Sequence, residues 1–145
     1  QFIIGIGDNK IRTKIFKFLS DSSANIISIT HPKASVSIKS KVNSGTFISS
    51  NVSVNPMSKI GLNCILNTGS IIEHDCLISD NVHVGPAAVV LGNVKIGNGS
   101  FIGSGSIIKE GLIVGKNVTI GAGSLVLKNI PDNSLVYGNP AKIIK

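Results

Sequence analysis

The sequence predicts a mainly β protein, a parallel β-solenoid, because its side chains keep a six-residue period. An aliphatic residue stands at every sixth position without a slip: Val36, Val42, Ile48, Val54, Ile60, Leu66, Ile72, Ile78, Val84, Val90, Ile96, Ile102, Ile108, Val114, Ile120 and Val126. The fifth residue of each hexad is small or apolar throughout, as in Ser40, Thr46, Val52, Ser58, Cys64 and Ser70, and on to Val118, Ser124 and Ile130. Self-similarity at a fixed period marks an array of stacked coils, each burying its apolar face against its neighbours.

Three hexads complete a triangular coil, so residues three hexads apart stack at about 4.8 Å, the spacing of hydrogen-bonded strands. The fifth residue and the next first residue lie two apart on one strand and point inward, while the sixth, between them, points outward. Third and fourth residues fall at the corners. The outward positions then define three faces. The first carries Lys41, Lys59, Leu77, Lys95 and Ile113; the second Phe47, Ile65, His83, Phe101 and Thr119; the third Ile71, Val89, Ile107 and Leu125. The third face is a continuous aliphatic stripe, which marks an interface. Two different apolar faces on one rod favour a heterologous contact that closes as a homotrimer. Packing the second face on a neighbour's third face would bring His83 toward the neighbour's His74, in a cleft with a histidine on each wall.

The flanks break the period. Phe2–Ile6 reads as a buried strand and Gly7-Asp8-Asn9 as a turn with an N-cap. Ile11, Ile15, Phe18 and Leu19 recur at helical spacing over about Lys10–Ser20. A short strand over Ile26–Ile29 leads to His31-Pro32, where the coils are expected to start. Residues 1–30 thus look like the tail of an α/β domain, residues 31–130 are the solenoid, and residues 131–145, after Pro131, are a folded-back loop or cap. Gln1 in place of an initiator Met suggests a processed or truncated chain.

Composition narrows the partners. The 145 residues carry a net charge of +7 with only 4% aromatic residues. A basic surface without stacking aromatics argues against nucleic acid and fits phosphorylated small molecules or an anionic membrane face. Cys64 and Cys76 both occupy inward fifth positions, and nothing resembles a disulfide framework, so a cytoplasmic location is expected. No apolar run reaches membrane-spanning length.

Against this monotony one segment stands out: Asn67-Thr68-Gly69-Ser70-Ile71-Ile72-Glu73-His74-Asp75, followed by Val82-His83-Val84 and Leu91-Gly92-Asn93. His74 lies between two carboxylates, and Gly92 falls one coil beyond it. A histidine held by a carboxylate is a competent general base. A glycine in the adjacent coil leaves room for a ligand and exposes a backbone N–H that can meet an oxyanion. The competing readings are a solvated corner for His74 and an interface packing role for His83. Cys76 points into the core and is a poor candidate nucleophile. A zinc site, as in trimeric β-helical carbonic anhydrases, wants three protein ligands, and each cleft offers two histidines.

These residues resemble a known family. The hexad run is similar to the left-handed β-helix acyltransferases. The segment Asn67 to Asp75, with His83, Gly92-Asn93-Val94 and Gly138-Asn139-Pro140-Ala141-Lys142, resembles the NeuD/PglD-type sugar acetyltransferases, and Ile4-Gly5-Ile6-Gly7-Asp8-Asn9 with Arg12 resembles the end of their N-terminal nucleotide-sugar domain. The resemblance implies a left-handed coil and acetyl-CoA as co-substrate, with no metal. It implies a sugar acceptor, foremost the amino group of a UDP-amino sugar and otherwise a sialic acid hydroxyl, in cell-surface polysaccharide biosynthesis. It also implies His74 as base with Asp75 as its carboxylate, and Gly92 N–H at the thioester carbonyl. His83, Ser104, Ala122 and Lys142 would then lie along the cofactor, and Asn67 and Glu73 on the acceptor side. A metal-dependent hydratase and an inactive structural solenoid are the rival readings. The segment that would precede Gln1 in the family, a glycine-rich strand–turn–helix holding the nucleotide, is not in this sequence.

Overall fold

The computed structural model covers residues 1–145. One helix, α1 (Asn9–Asp21), is followed by β1 (Ile29–Thr30) and then by a two-residue strand every six residues, from β2 (Ser35–Val36) to β17 (Leu125–Val126). A C-terminal hairpin, β18 (Leu135–Gly138) and β19 (Ala141–Ile143), closes the chain. The strands sort into three parallel sheets, one per face, and each strand pairs with the one three hexads away: Lys41 with Lys59, Phe47 with Ile65, Val89 with Ile107. The three outward face sets read from the sequence are the three sheets.

The register follows from the core. Every first-position residue from Ile48 to Val126 is at most 1% exposed, so each contributes about 1.5–3 kcal/mol of burial, and a slip of one residue would turn the whole set outward. Fifth positions do more than stay small. Thr46, Ser58, Ser100 and Ser106 each donate a hydroxyl hydrogen bond to a carbonyl in the next coil, on Gly61, Glu73, Gly115 and Gly121. The thiols of Cys64 and Cys76 do likewise, to Ser79 and Leu91. Buried polar atoms are thereby paired where an aliphatic side chain would leave a carbonyl unmet.

The flanks depart from the sequence expectation. Phe2–Ile6 is not a strand; it contributes one bridge, Phe2 to Ile26. The solenoid starts earlier than His31, because Ile29–Thr30 already pairs with Phe47–Ile48. The tail is not a plain loop: β18 pairs with the strand Thr119–Ile120 and so continues the sheet of the second face. Helix α1 is present, capped by the Asp8 carboxylate accepting from Ile11 N–H at 2.8 Å, but it packs on a different side. Ile11 and Phe18 are exposed at 51% and 70%, whereas Arg12 is buried and Phe16 lies against Gly45. The helix thus sits on the corner between the first and second faces, and the turn before it, at Gly7, lies on His83 in the second face, so the middle of that face is not free to pack on a neighbour's third face.

Close approach between coils is strict at Gly103. A Cβ there would lie 2.5 Å from Ala122 N and 2.6 Å from Ile120 O, both backbone atoms. Met57 presents the opposite case, an L side chain held at φ +64°, a conformation costing about 1–2 kcal/mol. Gly103→Ala is expected to lower the unfolding free energy by about 1–3 kcal/mol, and Met57→Asn to raise the thermal midpoint. Denaturation curves of both variants beside the parent check this; a neutral Gly103→Ala would mean that the coils can separate freely.

Candidate active site

His74 and Asp75 occupy the third and fourth positions of one hexad, at the corner between the third and first faces. Asp75 has φ +58°, a left-handed turn that folds its carboxylate back onto the preceding side chain. Asp75 Oδ2 lies 2.9 Å from His74 Nδ1. A carboxylate can only accept, so Nδ1 carries a proton, and in the neutral ring Nε2 keeps its lone pair. The coil that follows brings Gly92 beneath the ring: Asn93 N–H donates to His74 O at 2.9 Å, and a Cβ on Gly92 would sit 2.8 Å from His74 Nε2. Only glycine leaves the imidazole its place. The Gly92 N–H has no acceptor within the chain, so a proton acceptor and a free backbone donor occur together, the pairing that attack on a carbonyl requires. Glu73 is half-buried and its carboxylate makes no hydrogen bond to His74; its backbone oxygen accepts from Ser58.

His83 lies elsewhere, in the middle of the second face. It is buried, edge-on to Phe101 with ring centroids 5.1 Å apart. Its Nδ1 lies 3.2 Å from Gly7 O and its Nε2 3.4 Å from Asn67 Nδ2. Burial pushes its pKa below the ordinary imidazole value; the Gly7 carbonyl opposes this and the nearby Arg12 charge adds to it. Asn67 heads the corner between the second and third faces, and Ser104 and Ala122 follow at the same corner in later coils, both exposed and both with backbone N–H groups free of acceptors. Lys142 is exposed on β19, opposite Tyr137. The structure therefore gathers the sequence-predicted residues into two groups on the two corners flanking the third face: His74, Asp75 and Gly92 on one, Asn67, Ser104 and Ala122 on the other, with His83 next to the latter.

Both thiols are inert by placement: burial pushes Cys64 up to about 12 and raises Cys76 as well. No three histidine, cysteine or acidic side chains converge to hold a metal ion, and no helix is long and apolar enough to cross a membrane. A groove of about 770 Å³ opens between the turn at Gly7–Asn9, Lys10 and Lys14 of α1, and Asn98, Phe101 and Asn117. It lies on the second face, not at His74, whose side chain stands 62% exposed on a convex corner.

Comparison with known proteins finds relatives of this fold. The family model described as bacterial transferase hexapeptide (six repeats) matches residues 75–110 and 93–128. The GDP-perosamine N-acetyltransferase of Escherichia coli O157:H7 is 35% identical over 93 residues, covering 64% of this chain and 42% of that protein. The match thus spans less than half of that relative. Among solved structures, a histidine-to-alanine mutant of GDP-perosamine N-acetyltransferase from Caulobacter crescentus, in complex with CoA and GDP-perosamine, is 34% identical with a TM-score of 0.97, over 99% of this chain and 68% of that one. The acetyltransferase domain of PglB from Neisseria gonorrhoeae FA1090, in complex with acetyl coenzyme A, is 34% identical with a TM-score of 0.96, over 98% and 69%. The fold and these likenesses define a hexapeptide-repeat transferase with a left-handed coil. More narrowly, the chain belongs to the left-handed β-helix acyltransferases of the NeuD/PglD type.

Sequence reasoning missed Arg12 as a buried anchor, and with it the clamp of the N-terminal turn on the solenoid. Its signal was available: it is the single arginine of the chain, and it shares a side of the helix with Phe16, off the stripe of Ile11, Ile15, Phe18 and Leu19. Neutral His83 gives a measurable consequence. Unfolded chains take up a proton at this histidine below about pH 6.5, while the folded chain resists until a lower pH. Its stabilising effect is complete above that pH and is lost as pH falls through the lowered folded value. His83→Asn should flatten this part of the acid limb when thermal midpoints are plotted against pH. Parallel acid limbs for the parent and the variant would show that His83 is not held neutral.

Proposed function

We propose that this chain transfers the acetyl group of acetyl-CoA to the amino group of a nucleotide-activated amino sugar, with His74 as general base. The observation that carries the reading is the His74–Asp75 pair with Nε2 directly over Gly92. As the amine attacks the thioester carbonyl carbon, its proton passes to His74 Nε2, and the carbonyl oxygen gains charge beside the Gly92 N–H. The C–S bond then breaks, and the CoA thiolate leaves. No side chain serves as a covalent carrier, because both cysteines face the core. The relatives' substrate, GDP-perosamine, supports an amino-sugar acceptor over a sialic acid hydroxyl and favours no uridine nucleotide in particular. Acetyl-CoA and nucleotide sugars are both cytoplasmic metabolites, which fits two free thiols.

A convex corner cannot enclose a substrate, so the site needs a second wall. The third-face stripe Ile71, Val89, Ile107 and Leu125 supplies the contact. Three copies meeting there set the His74 corner of one chain against the Asn67, Ser104 and Ala122 corner of the next, where the free amides and His83 would meet acetyl-CoA. Lys142 would then lie toward the nucleotide end of CoA. Glu73 and Asn67 fall on the acceptor side.

Two outcomes test the proposal. His74→Ala should lower turnover by about a hundred- to ten-thousand-fold while acetyl-CoA still raises the thermal midpoint, as a ligand of the native state must. Mass spectrometry with GDP- and UDP-linked amino sugars reads the product, and near-normal turnover would remove His74 from the mechanism. Light scattering should give a trimer for the parent chain and a smaller species for Val89→Lys, which would bury an unpaired charge. A monomeric parent would leave the cleft without its second wall.

A further inference from the structure

Arg12 makes hydrogen bonds that account for all five of its N–H groups, and none goes to a carboxylate. Nε donates to Asn63 O at 3.0 Å, Nη1 to Ile6 O at 3.3 Å and Gly7 O at 3.0 Å, and Nη2 to Asn9 Oδ1 at 2.8 Å and Asn81 O at 3.0 Å. The side chain is 1% exposed. Such a fork binds the corners of two successive coils and the turn before α1 into one unit, which an ammonium with three donors on a point cannot reproduce.

The Gly7 carbonyl is shared. It accepts from Arg12 and faces His83 Nδ1, and since a carbonyl has no proton to give, the proton of His83 lies on Nδ1. The other end is determined as independently. Thr68 N–H donates to Asn67 Oδ1 at 2.8 Å, which fixes the amide orientation and turns Nδ2, a donor, toward His83 Nε2. Nε2 is therefore an acceptor. We propose that Arg12 is a positioning residue, which holds the Gly7 carbonyl and through it locks His83 in the Nδ1–H tautomer, so that Nε2 is offered to a ligand as a hydrogen-bond acceptor. This rests on the reading of the Asn67 corner as one wall of the acetyl-CoA cleft. Its chemical consequence is definite: the ligand group that meets His83 is an N–H, such as an amide of the pantetheine arm, and not a carbonyl oxygen. The long 3.4 Å contact to Asn67 is the one such an N–H displaces.

Long-range proton–nitrogen NMR on the full chain with ¹⁵N-labelled histidine tests this. His83 should show a protonated Nδ1 and a bare Nε2, and a proton on Nε2 in the parent chain would overturn the proposal. Arg12→Lys, with its fold checked by circular dichroism, should loosen the Gly7 carbonyl and shift the His83 Nδ1 resonance away from its value in the parent; an Nδ1 resonance unchanged in a folded variant would show that Arg12 is only structural. Should Arg12→Lys fail to fold, Asn67→Asp decides, because His83 would then stand between two acceptors and should gain a second proton at neutral pH; an unchanged neutral ring would refute the relay. Added CoA should move the Nε2 resonance and leave Nδ1 in place. CoA that raises the thermal midpoint without moving Nε2 would refute the ligand role of His83. CoA that raises no midpoint would instead refute the acetyltransferase reading, with the tautomer measurements still deciding the role of Arg12.

Discussion

Everything in this molecule depends on a left-handed backbone residue at the fourth position of each hexad. From Gly45 to Gly123 each of these corners has positive φ, and the turn it makes lets two-residue strands meet again three hexads later in register. Glycine and asparagine hold most of these corners because they tolerate the conformation at the least steric penalty. The aliphatic first positions then fill the triangle, and the side-chain donors at fifth positions tie each coil to the next. Strands this short have little stability of their own. They persist because every strand inside a sheet is paired on both sides; β1 and the C-terminal hairpin extend the sheet of the second face, and the other two sheets end in strands paired on one side.

The same constraint explains how a site arises on so regular a rod. Side chains at first and fifth positions are committed to the core, and those at sixth positions lie flat on a face. Second, third and fourth positions are the ones free of both, so a hydrogen-bonded polar pair can be placed there without disturbing the coil. His74 and Asp75 use adjacent corner positions, and the left-handed turn at Asp75 is what brings its carboxylate to Nδ1. Gly92, one coil further on, contributes by having no side chain at all.

The solenoid was legible in the sequence because its rule is one-dimensional: a six-residue period fixes inward and outward positions, faces and register together. The meeting of His74, Asp75 and Gly92 at one corner was legible for the same reason, since hexad position and a separation of one coil place them together. The packing of α1 was not. Ile11 and Phe18 suggest an apolar contact face, yet the helix turns Arg12 and Phe16 to the solenoid, because Arg12 finds carbonyl acceptors at Asn63 and Asn81 that no aliphatic residue could use. Those acceptors belong to coils more than fifty residues away, and local periodicity carries no information about them. The same blindness made the second face look free for a neighbour.

Strain gives a further view of where function lies. Three left-handed corners hold neither glycine nor asparagine: Met57, Asp75 and Ala87. Asp75 is the residue whose carboxylate meets His74 Nδ1. Met57 stands in the coil just before it, its corner joined to that of His74 by the bond from Asp75 N–H to Pro56 O at 3.1 Å. Ala87 lies at the other corner, between Gly69 and Gly105, where the Asn67 and Ser104 residues gather. None of the three is at the corner between the first and second faces, which holds only Gly45, Asn63, Asn81, Gly99 and Asn117. A fold that elsewhere keeps its easiest residues at left-handed positions accepts less comfortable ones at the two corners flanking the apolar stripe. Backbone strain persists where surrounding structure over-determines it and tends to gather at functional sites. Its distribution here, independent of any hydrogen bond, points to the same pair of corners as the His74 dyad and the free amides.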